Sequence, residues 1–473
     1  MDHSTETKIY TTALFRDAWA ALGGGPREVG LRGERILPAA PFGVSALSAA
    51  AFAAAGSAVA ELLEAAGASP PPVTVDAELA SAWMRTPTHP VGWERGTPWH
   101  AVSTDYPTAD GRWVRLQANY PRLREATARV LGVPVDPDAF AAVFRAHDAD
   151  EIEQAIVAGG GAAAATRSLA EWDAHPHGRT LREEPLVDVI AGDAADDTWT
   201  PLPGRPLSGI RVLDITRVLA GPMATRFLAG YGAEVLRIDP PGYAEPDGES
   251  GGDLTLGKRC AHLPLDTDEG RDRFLALLAE ADVLVHGLRP GALDGLGLGE
   301  AARRAARPGL VEVTLNAYGW TGPWAGRRGF DTLVQTSAGM STELMRRAGG
   351  ARPELLPAQV LDFATGYLMA AAALRGLTRR MTEGRGSSWR LALARTARLM
   401  LAHGAPPEGP ALAVPVAPDP HGRIFTSPYG PVRRLAFPLE VGGSPLFWER
   451  PGDPYGSATP RWASRATIGR APC

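Results

Sequence analysis

Residues 207–335 alternate short apolar strands with amphipathic helical patterns, and this alternation constrains the fold more than any other feature of the chain. Apolar strands that alternate with helices predict a parallel sheet covered on both faces. The sequence therefore predicts an α/β fold, in which a Rossmann-like large domain with a parallel sheet is joined to a smaller α+β domain. The predicted strands are 209–216, 233–239, 283–285 and 310–314, and the predicted helices include 271–280 and 298–306.

The chain outside this pattern divides into blocks of different composition. An Ala-rich helical pattern over 43–68 stops at Gly67 and is followed by Pro70-Pro71-Pro72. A turn signal at Thr108-Ala109-Asp110-Gly111 precedes a strand and several helical patterns, whereas 183–206 shows no clear periodicity. The predicted organisation is an N-terminal helical segment (1–90), a small domain (91–182), a linker (183–206), a large domain (207–400) and a C-terminal tail (401–473) with two short strands between 424 and 441.

Length, charge and cysteine content exclude several classes of protein. With 473 residues the chain is long enough for two or three cores. Its net charge of −5 argues against non-specific binding to nucleic acid, which needs a basic face. The cysteines, Cys260 and Cys473, are too far apart in sequence to form a disulfide framework, which favours a reducing cytoplasm. No basic region followed by an apolar run opens the chain, so no signal peptide is predicted.

The uncharged stretch 43–60 could be mistaken for a membrane span. It consists mostly of Ala and Ser, and this composition is too weakly hydrophobic for a spanning helix. We predict a buried helix there and no association with a membrane.

The first strand-turn-helix-strand unit raises the question of dinucleotide binding. A strand, a tight turn, a helix and a second strand ending in Asp239 follow the order of such a site. The turn, however, reads Leu219-Ala220-Gly221-Pro222 rather than G-x-G-x-x-G. Because only one glycine is available for close approach to a pyrophosphate, the turn argues against a nicotinamide or flavin cofactor.

Asp362 lies just before a long apolar helical pattern over 368–377. A carboxylate at the start of an apolar helix is either a helix cap or a reactive group. The local residues alone leave both interpretations open.

Five short motifs occur in a fixed order along the chain and together resemble the family III coenzyme A transferases, the CaiB/BaiF family. In that family the small domain follows the Asp-bearing helix, whereas here the similar block 108–179 precedes the large-domain motifs. The chain thus resembles a rearranged or partially duplicated member, which leaves open whether it forms the family's interlocked homodimer. The five motifs are 207–222, Gly257-Lys258-Arg259, 288–298, 318–323 and Gly329-Phe330-Asp331.

The resemblance implies an acyl-CoA:carboxylate CoA-transferase that acts through an aspartyl-CoA thioester on Asp362. Its substrates would be acyl-CoA and a carboxylic acid, with no permanently bound cofactor and no metal. A 2-methylacyl-CoA racemase and a catalytically inactive CoA-binding homologue remain as alternatives. In the racemase branch a histidine occupies the position of Phe330, and a phenylalanine cannot transfer a proton.

The resemblance also implies a set of CoA-binding residues. The backbone of Val218, Leu219 and Ala220 would line the adenosine side of the site. Lys258, Arg259 and Arg289 follow turns of the sheet and would bind the phosphates. The family's CoA-contacting arginine falls at Pro240, and Arg237 is the nearby candidate to replace it.

A weak internal repeat links the two halves of the chain. The order of helix, strand and helix in 361–400 recurs in 46–84, and aligning the two copies places Ser45 or Ala46 opposite Asp362. The N-terminal copy therefore lacks the carboxylate. We predict that 43–180 packs against the large domain and completes its site.

Overall fold

The N-terminal segment consists of two long helices, a short helix and three short strands. The computed structural model describes residues 3–85, 87–96, 99–195, 199–245 and 251–463. The elements of the segment are α1 (His3–Ala21), β1 (Gly30–Arg32), α2 (Val44–Ala65), β2 (Val73–Asp76), α3 (Ala77–Trp83) and β3 (Thr88–Pro90).

The small domain is an antiparallel three-stranded sheet, β4-β5-β6, covered by helices. It has its own core, in which Phe140, Phe144, Ile152 and Ile156 are buried. Its helices start at residues suited to that position: Asp136 caps α5, and Ser168 with Glu171 forms a capping box on α7. The elements are β4 (Asp105–Pro107), β5 (Trp113–Leu116), α4 (Pro121–Leu131), α5 (Pro137–Phe144), α6 (Ala149–Ala158), β6 (Ala163–Ala165), α7 (Leu169–Ala174) and α8 (Pro176–Glu183).

The large domain is built on a seven-stranded sheet with the strand order β10-β9-β8-β11-β12-β13-β7. All neighbouring strands are parallel except β13 and β7. The elements are β7 (Asp188–Ala194), β8 (Arg211–Ile215), α9 (Ala220–Gly230), β9 (Glu234–Asp239), α10 (Gly251–Leu254), β10 (Lys258–His262), α11 (Asp268–Ala279), β11 (Val283–His286), α12 (Glu300–Ala306), β12 (Val311–Asn316), α13 (Asp331–Ser337), α14 (Met340–Ala348), α15 (Val360–Glu383), β13 (Arg385–Ala392) and α16 (Leu393–Ala402).

This sheet confirms the predicted α/β, Rossmann-like fold. The strand order reverses between β8 and β11, and ligands of open α/β sheets bind outside the carboxyl ends of the strands at such a point. The loop from β8 to α9 carries Val218 and Leu219, and the loop after β11 carries Arg289. The fold therefore places these predicted site residues at the ligand-binding edge of the sheet.

The predicted linker 183–206 contains a strand. Residues Asp188–Ala194 form β7, which pairs antiparallel with β13 at the edge of the large sheet. An edge strand has one neighbour, and most of its side chains here are partly or fully exposed. It therefore lacks the apolar pattern by which buried strands are recognised, and the sequence prediction missed it.

The residues after 402 join the N-terminal segment instead of forming a separate tail. Three strands occur where two were predicted: β14 (Ile424–Ser427), β15 (Gly430–Arg434) and β16 (Leu439–Val441). β15 pairs with β3, and β16 pairs with β2. The N-terminal segment and the residues after 402 are thus joined by backbone hydrogen bonds.

The core of the protein is centred on α2 and α15, which pack against each other. The rings of Phe52 and Tyr367 meet across this contact with their centroids 3.9 Å apart. Both helices are long and apolar enough to cross a membrane, so the prediction that 43–60 is too weakly hydrophobic for a span was wrong. However, 94% and 100% of their most apolar windows are buried. Burial in the core accounts for their composition, as predicted for the N-terminal helix.

The internal repeat is visible in the order of the elements. β13 follows α15 and pairs in parallel with β12, and β2 follows α2 and pairs in parallel with β1. Aligning the first residues of the two helices, Val44 and Val360, places Ala46 opposite Asp362. The packing of α2 on α15 therefore brings the two copies together.

Candidate active site

A cavity of about 410 Å³ lies where the N-terminal segment, the small domain and the large domain meet. Asp362 is part of its wall, together with residues from all three regions. The N-terminal half of the chain thus contributes directly to this cavity. The lining residues include Arg85 from the N-terminal segment, Arg95 and Tyr120 from the small domain, and Val218, Leu219, Met223, Arg226, Glu245, Asp253, Phe330, Asp331, Asp362 and Phe363 from the large domain.

Asp362 does not act as the cap of its helix. It is the third residue of α15, and the carboxylate of Asp331 accepts the hydrogen bond of its backbone amide at 2.9 Å. Asp331 also accepts the backbone amide of Leu361. No group of the described chain donates a hydrogen bond to the Asp362 carboxylate. Because Asp331 accepts the backbone amides at the start of α15, the Asp362 side chain is not needed as a cap and faces the cavity.

Asp331 is held in place by a short hydrogen-bond relay. Its carboxylate accepts a hydrogen bond from the side-chain amide of Gln335, whose carbonyl oxygen accepts the backbone amide of Leu356 at 2.8 Å. Burial raises the pKa of Asp331 to about 6. Burial, and secondarily the charge of Asp331, raise the pKa of Asp362 well above its usual range. The site therefore contains two coupled, desolvated carboxyl groups.

Replacing Asp331 with Asn is expected to move the acid limb of the pH–activity profile to lower pH. The substitution removes a negative charge that raises the pKa of Asp362, so Asp362 ionises at a lower pH. An amide oxygen can still accept the backbone hydrogen bond, which preserves the start of α15. The measurement is kcat/KM against pH for Asp331→Asn and the parent; an unchanged or upward-shifted acid limb would contradict the coupling.

The loop after β8 is held against the cavity by Glu245. Val218 adopts a φ of 68°, which is strained for a β-branched residue, and its amide donates to Glu245 at 2.9 Å. The same carboxylate accepts the Tyr120 hydroxyl at 2.5 Å and Arg237 at 3.1 Å. Glu245 therefore links the small domain to the strained loop, whose Val218 and Leu219 line the cavity.

The start of α9 lies close to the helix that carries Asp362. A Cβ atom at Gly366 would stand 2.4 Å from the carbonyl oxygen of Ala220, so a larger residue is excluded there. Ala220 is buried in this contact instead of lining the cavity. The close approach places the β8–α9 loop beside the nucleophile candidate.

Lys258 and Arg237, both predicted to bind phosphate, are buried behind the cavity wall. The ammonium of Lys258 pairs with Asp214 at 2.9 Å and also donates to the carbonyl of Pro222. Arg237 pairs with Asp239 at 2.7 Å and with Glu245. As strand residues, both side chains point into carboxylates of the interior, so neither replaces the arginine missing at Pro240. Such pairs are costly to break, and we assign them to the structure of the loop region.

Arg259 and Arg289 also lie outside the cavity lining. Arg259 donates to the carbonyl of Arg461 at 2.7 Å, on the far side of β10. Arg289 is exposed and belongs to a group with Arg122 and Arg328. Burial, and secondarily the neighbouring charges of Arg289 and Arg122, lower the pKa of Arg328 to about 10.

This arginine group, Arg122, Arg289 and Arg328, has an excess of positive charge next to the cavity. No carboxylate within the described ranges forms an ion pair with any of the three. Arg122 lies over the ring of Tyr120, 5.8 Å from its centroid, and Tyr120 lines the cavity. Of the predicted phosphate ligands, Arg289 is therefore the one in a suitable environment.

Several site residues were not predicted from the sequence. Asp331 lies in a recognised motif, Gly329-Phe330-Asp331, which could have drawn attention to it. Arg226 lies within an apolar helix, and nothing in the sequence indicates that it lines a cavity. No group of His, Cys, Asp and Glu residues that could hold a metal ion occurs in the part of the chain that the structure describes.

Comparison with known proteins identifies the large domain. Residues 207–423 match the family model described as CoA-transferase family III. This part of the chain belongs to that family. The match covers the five motifs, Asp331 and Asp362.

The chain is similar to several curated proteins and solved structures. The chain is 35% identical over 202 residues to a probable fatty acyl-CoA transferase, Rv3272, of Mycobacterium tuberculosis, covering 39% of this chain and 50% of that protein. It is 30% identical over 308 residues to the acetyl-coenzyme A transferase nodX of Hypoxylon pulicicidum, covering 60% and 51%. A crystal structure of Rv3272 matches with 35% identity and a TM-score of 0.39, covering 42% and 57%. The chain spans about half the length of the curated relatives it matches.

Proposed function

We propose that the protein is an acyl-CoA:carboxylate CoA-transferase with Asp362 as its nucleophile. The observation that carries the proposal is that two neighbouring carboxylates have different roles. Asp331 caps α15, whereas Asp362 faces the cavity and accepts no hydrogen bond from the described chain. Membership of the family III region supports the same chemistry. A desolvated carboxylate is also a better nucleophile than a hydrated one, because no solvent shell must be removed before attack.

The reaction proceeds through four balanced steps at Asp362. A carboxylate oxygen attacks the thioester carbonyl and expels the CoA thiolate, which leaves a mixed anhydride. The thiolate then attacks the aspartyl carbonyl, releases the first acid as its carboxylate and leaves an aspartyl-CoA thioester. The carboxylate of the acceptor acid attacks this thioester and expels the thiolate again. The thiolate finally attacks the acyl carbonyl of the new anhydride, which forms the new acyl-CoA and regenerates Asp362.

The arginine group is the site that we propose for the CoA phosphates. Three guanidinium groups without carboxylate partners suit bidentate contact with phosphate oxygens. The position of Arg122 beside Tyr120 lets CoA extend past the loop of Val218 and Leu219 with its sulfur directed to Asp362. The buried Cys260 is a free thiol, and we propose a reducing, cytoplasmic location.

Trapping with hydroxylamine tests the proposed intermediate directly. Acyl-CoA plus hydroxylamine should convert Asp362 to a hydroxamate, which peptide mass spectrometry would locate. A panel of acyl-CoA donors is required, since the acyl group is not known. A catalytically inactive homologue would bind CoA, as followed by calorimetry, without labelling any carboxylate, and that result with every donor would refute the transferase.

A racemase should exchange the α-proton of a 2-methylacyl-CoA with solvent, and we expect this exchange to be negligible. Phe330 lines the cavity and packs on Tyr120 with ring centroids 6.2 Å apart, where a proton-transferring side chain would be needed. The measurement is deuterium incorporation followed by mass spectrometry. Asp362-dependent exchange at about 1 s⁻¹ or faster would favour the racemase.

A further inference from the structure

The far end of the cavity is a basic corner formed by Arg95, Arg226 and Arg434 around Asp253 and Thr88. Arg226 lines the cavity but is only 1% exposed. One of its nitrogens, Nη2, donates to the Tyr367 hydroxyl at 3.0 Å, whereas Nη1 is buried without a hydrogen-bond partner among the described residues. The corner therefore contains a fixed guanidinium group with an unused donor.

Arg95 and Arg434 both contact Thr88, and each also has a buried nitrogen without a hydrogen-bond partner in the described chain. Arg95 donates through Nη2 to the Thr88 carbonyl at 2.5 Å, and its Nε is buried without a partner. Arg434 pairs with Thr88 between β15 and β3, and its Nε has no hydrogen bond. Asp253 lies 4.0 Å from the Arg434 Nε and accepts the Thr88 hydroxyl at 2.5 Å.

Among the described residues, the basic corner carries more positive than negative charge. Three guanidinium groups share one carboxylate, which lies 4.0 Å from the Arg434 Nε, and each has a buried nitrogen without a hydrogen-bond partner in the described chain. Burial lowers the pKa of Arg434, Asp253 opposes this effect, and the charge of Arg226 adds to it. Buried, unpaired charged donors are unfavourable, so the corner is suited to an anion that enters from the cavity.

The position of Arg226 sets the distance between an anion bound in the basic corner and the group that reacts at Asp362. Leu219, Met223 and Arg226 are spaced by four and three residues on α9, and all three line the cavity. They form a stripe that runs from the helix start, beside the helix of Asp362, to the basic corner. At about 1.5 Å per residue, the stripe spans roughly 10 Å. An anion bound by Arg226 can therefore belong to the same small molecule whose other end reacts at Asp362.

We infer that the acids exchanged at Asp362 are dicarboxylic acids, whose second carboxylate binds Arg226 and Arg95. This inference rests on the proposed CoA transfer and specifies its substrate class. A guanidinium group matches a carboxylate with two parallel hydrogen bonds, and Arg226 and Arg95 each offer an unused donor. Asp253 remains bound to Thr88 and balances Arg434.

An adjoining chamber of about 300 Å³ provides the contrast, and it shares Phe363 with the cavity. It is lined mainly by apolar groups, including Met84, Leu355, Leu356 and Phe363. A monocarboxylic acid with a hydrocarbon tail would occupy that chamber and leave the basic corner empty. The ratio of kcat/KM for a diacid to that for the matched monoacid therefore shows whether the basic corner or the apolar chamber determines the choice of substrate.

Transfer kinetics test the inference with matched acceptors. The donor is the acyl-CoA that labels Asp362 fastest, and the acceptors are succinate, glutarate and adipate with butanoate, pentanoate and hexanoate as partners. We expect kcat/KM for the best diacid to exceed that of its monoacid at least about tenfold, and Arg226→Met to lower this ratio about tenfold or more, to near one. Arg226→Lys should retain part of the preference, and Arg271→Met, on α11, should retain all of it. A parent enzyme that prefers monoacids, or a ratio unaffected by Arg226→Met, would overturn the inference.

Binding measurements separate failure of this inference from failure of the proposed function. Calorimetry of glutarate with Asp362→Ala reports on the basic corner without chemistry, and Arg226→Met in that background should abolish the binding. Thermal unfolding checks that Arg226→Met is folded. Glutarate binding without any labelling of Asp362 would support the corner and refute the transferase. Loss of CoA affinity in Arg226→Met, with the acid ratio unchanged, would make the corner a phosphate subsite and overturn the inference.

Discussion

Asp362→Ala is expected to lower kcat/KM for CoA transfer by about ten-thousandfold or more. The variant lacks the oxygen that forms the anhydride, and removal of a covalent nucleophile costs several orders of magnitude in rate. The other described carboxylates that line the cavity are engaged elsewhere: Asp331 with the start of α15, Glu245 with Val218, Tyr120 and Arg237, and Asp253 with the Thr88 hydroxyl. Steady-state thioester exchange and hydroxylamine trapping provide the measurement.

The same substitution should leave the fold intact. The Asp362 carboxylate receives no hydrogen bond from the described chain, and it lies beside a second buried carboxyl group. Its removal therefore takes away a desolvated charge and a repulsion, so the melting temperature should be equal to or above that of the parent. Asp268→Ala is a matched control, because Asp268 also lies in the first turn of a helix but its side chain is 94% exposed. Activity of Asp362→Ala within about tenfold of the parent would refute the assignment.

The sequence predicted the large domain because buried parallel strands are continuous apolar runs. Strands β8, β11 and β12 are buried at every position, and their patterns were recognised. The edge strand β7 was missed because its backbone pairing with β13 defines it more than its side chains do. The pairing of β3 with β15 and of β2 with β16 joins segments that are hundreds of residues apart, and no local pattern records such contacts.

The positions of charged side chains were harder to predict than the elements that carry them. Lys258 follows a turn, as a phosphate ligand would, but the register of the sheet directs its ammonium to Asp214 two strands away. Arg226 occurs in a helix whose burial on all sides depends on packing against distant helices. Asp362 was identified through its motif, whereas its freedom from a capping role depends on Asp331, which reaches α15 from another helix.

The N-terminal half packs against the large domain and forms part of its cavity wall. α2 covers α15 from one side, Arg85 and Tyr120 line the cavity, and the small domain holds the β8–α9 loop through Tyr120 and Glu245. The N-terminal copy has Ser45 and Ala46 at the start of its helix, and Ser45 accepts the backbone amide of Leu37 at 2.8 Å. This copy therefore contributes shape to the site of the other copy without a nucleophile of its own.

A fragment that starts at Pro206 is expected to be insoluble or unable to bind CoA. Removing residues 1–205 exposes the face of α15 that packs on α2, where Phe52 contacts Tyr367, and it leaves the edge of β13 without β7. Exposed apolar surface and an unpaired strand edge both favour aggregation. The measurements are the soluble yield of the fragment and calorimetry with CoA.

Two controls separate loss of packing from loss of the site. Co-expression of residues 1–205 as a second chain should restore soluble protein, because the contacts between the halves are non-covalent. Phe52→Ala in the full chain removes a completely buried ring, so it should lower stability by about 3–5 kcal/mol without altering the residues that line the cavity. A soluble and fully active fragment of residues 206–473 would show that the N-terminal half is dispensable. In that case the cavity walls supplied by Arg85 and Tyr120 would have no part in CoA transfer, because the remaining large domain would bind and turn over its substrates alone.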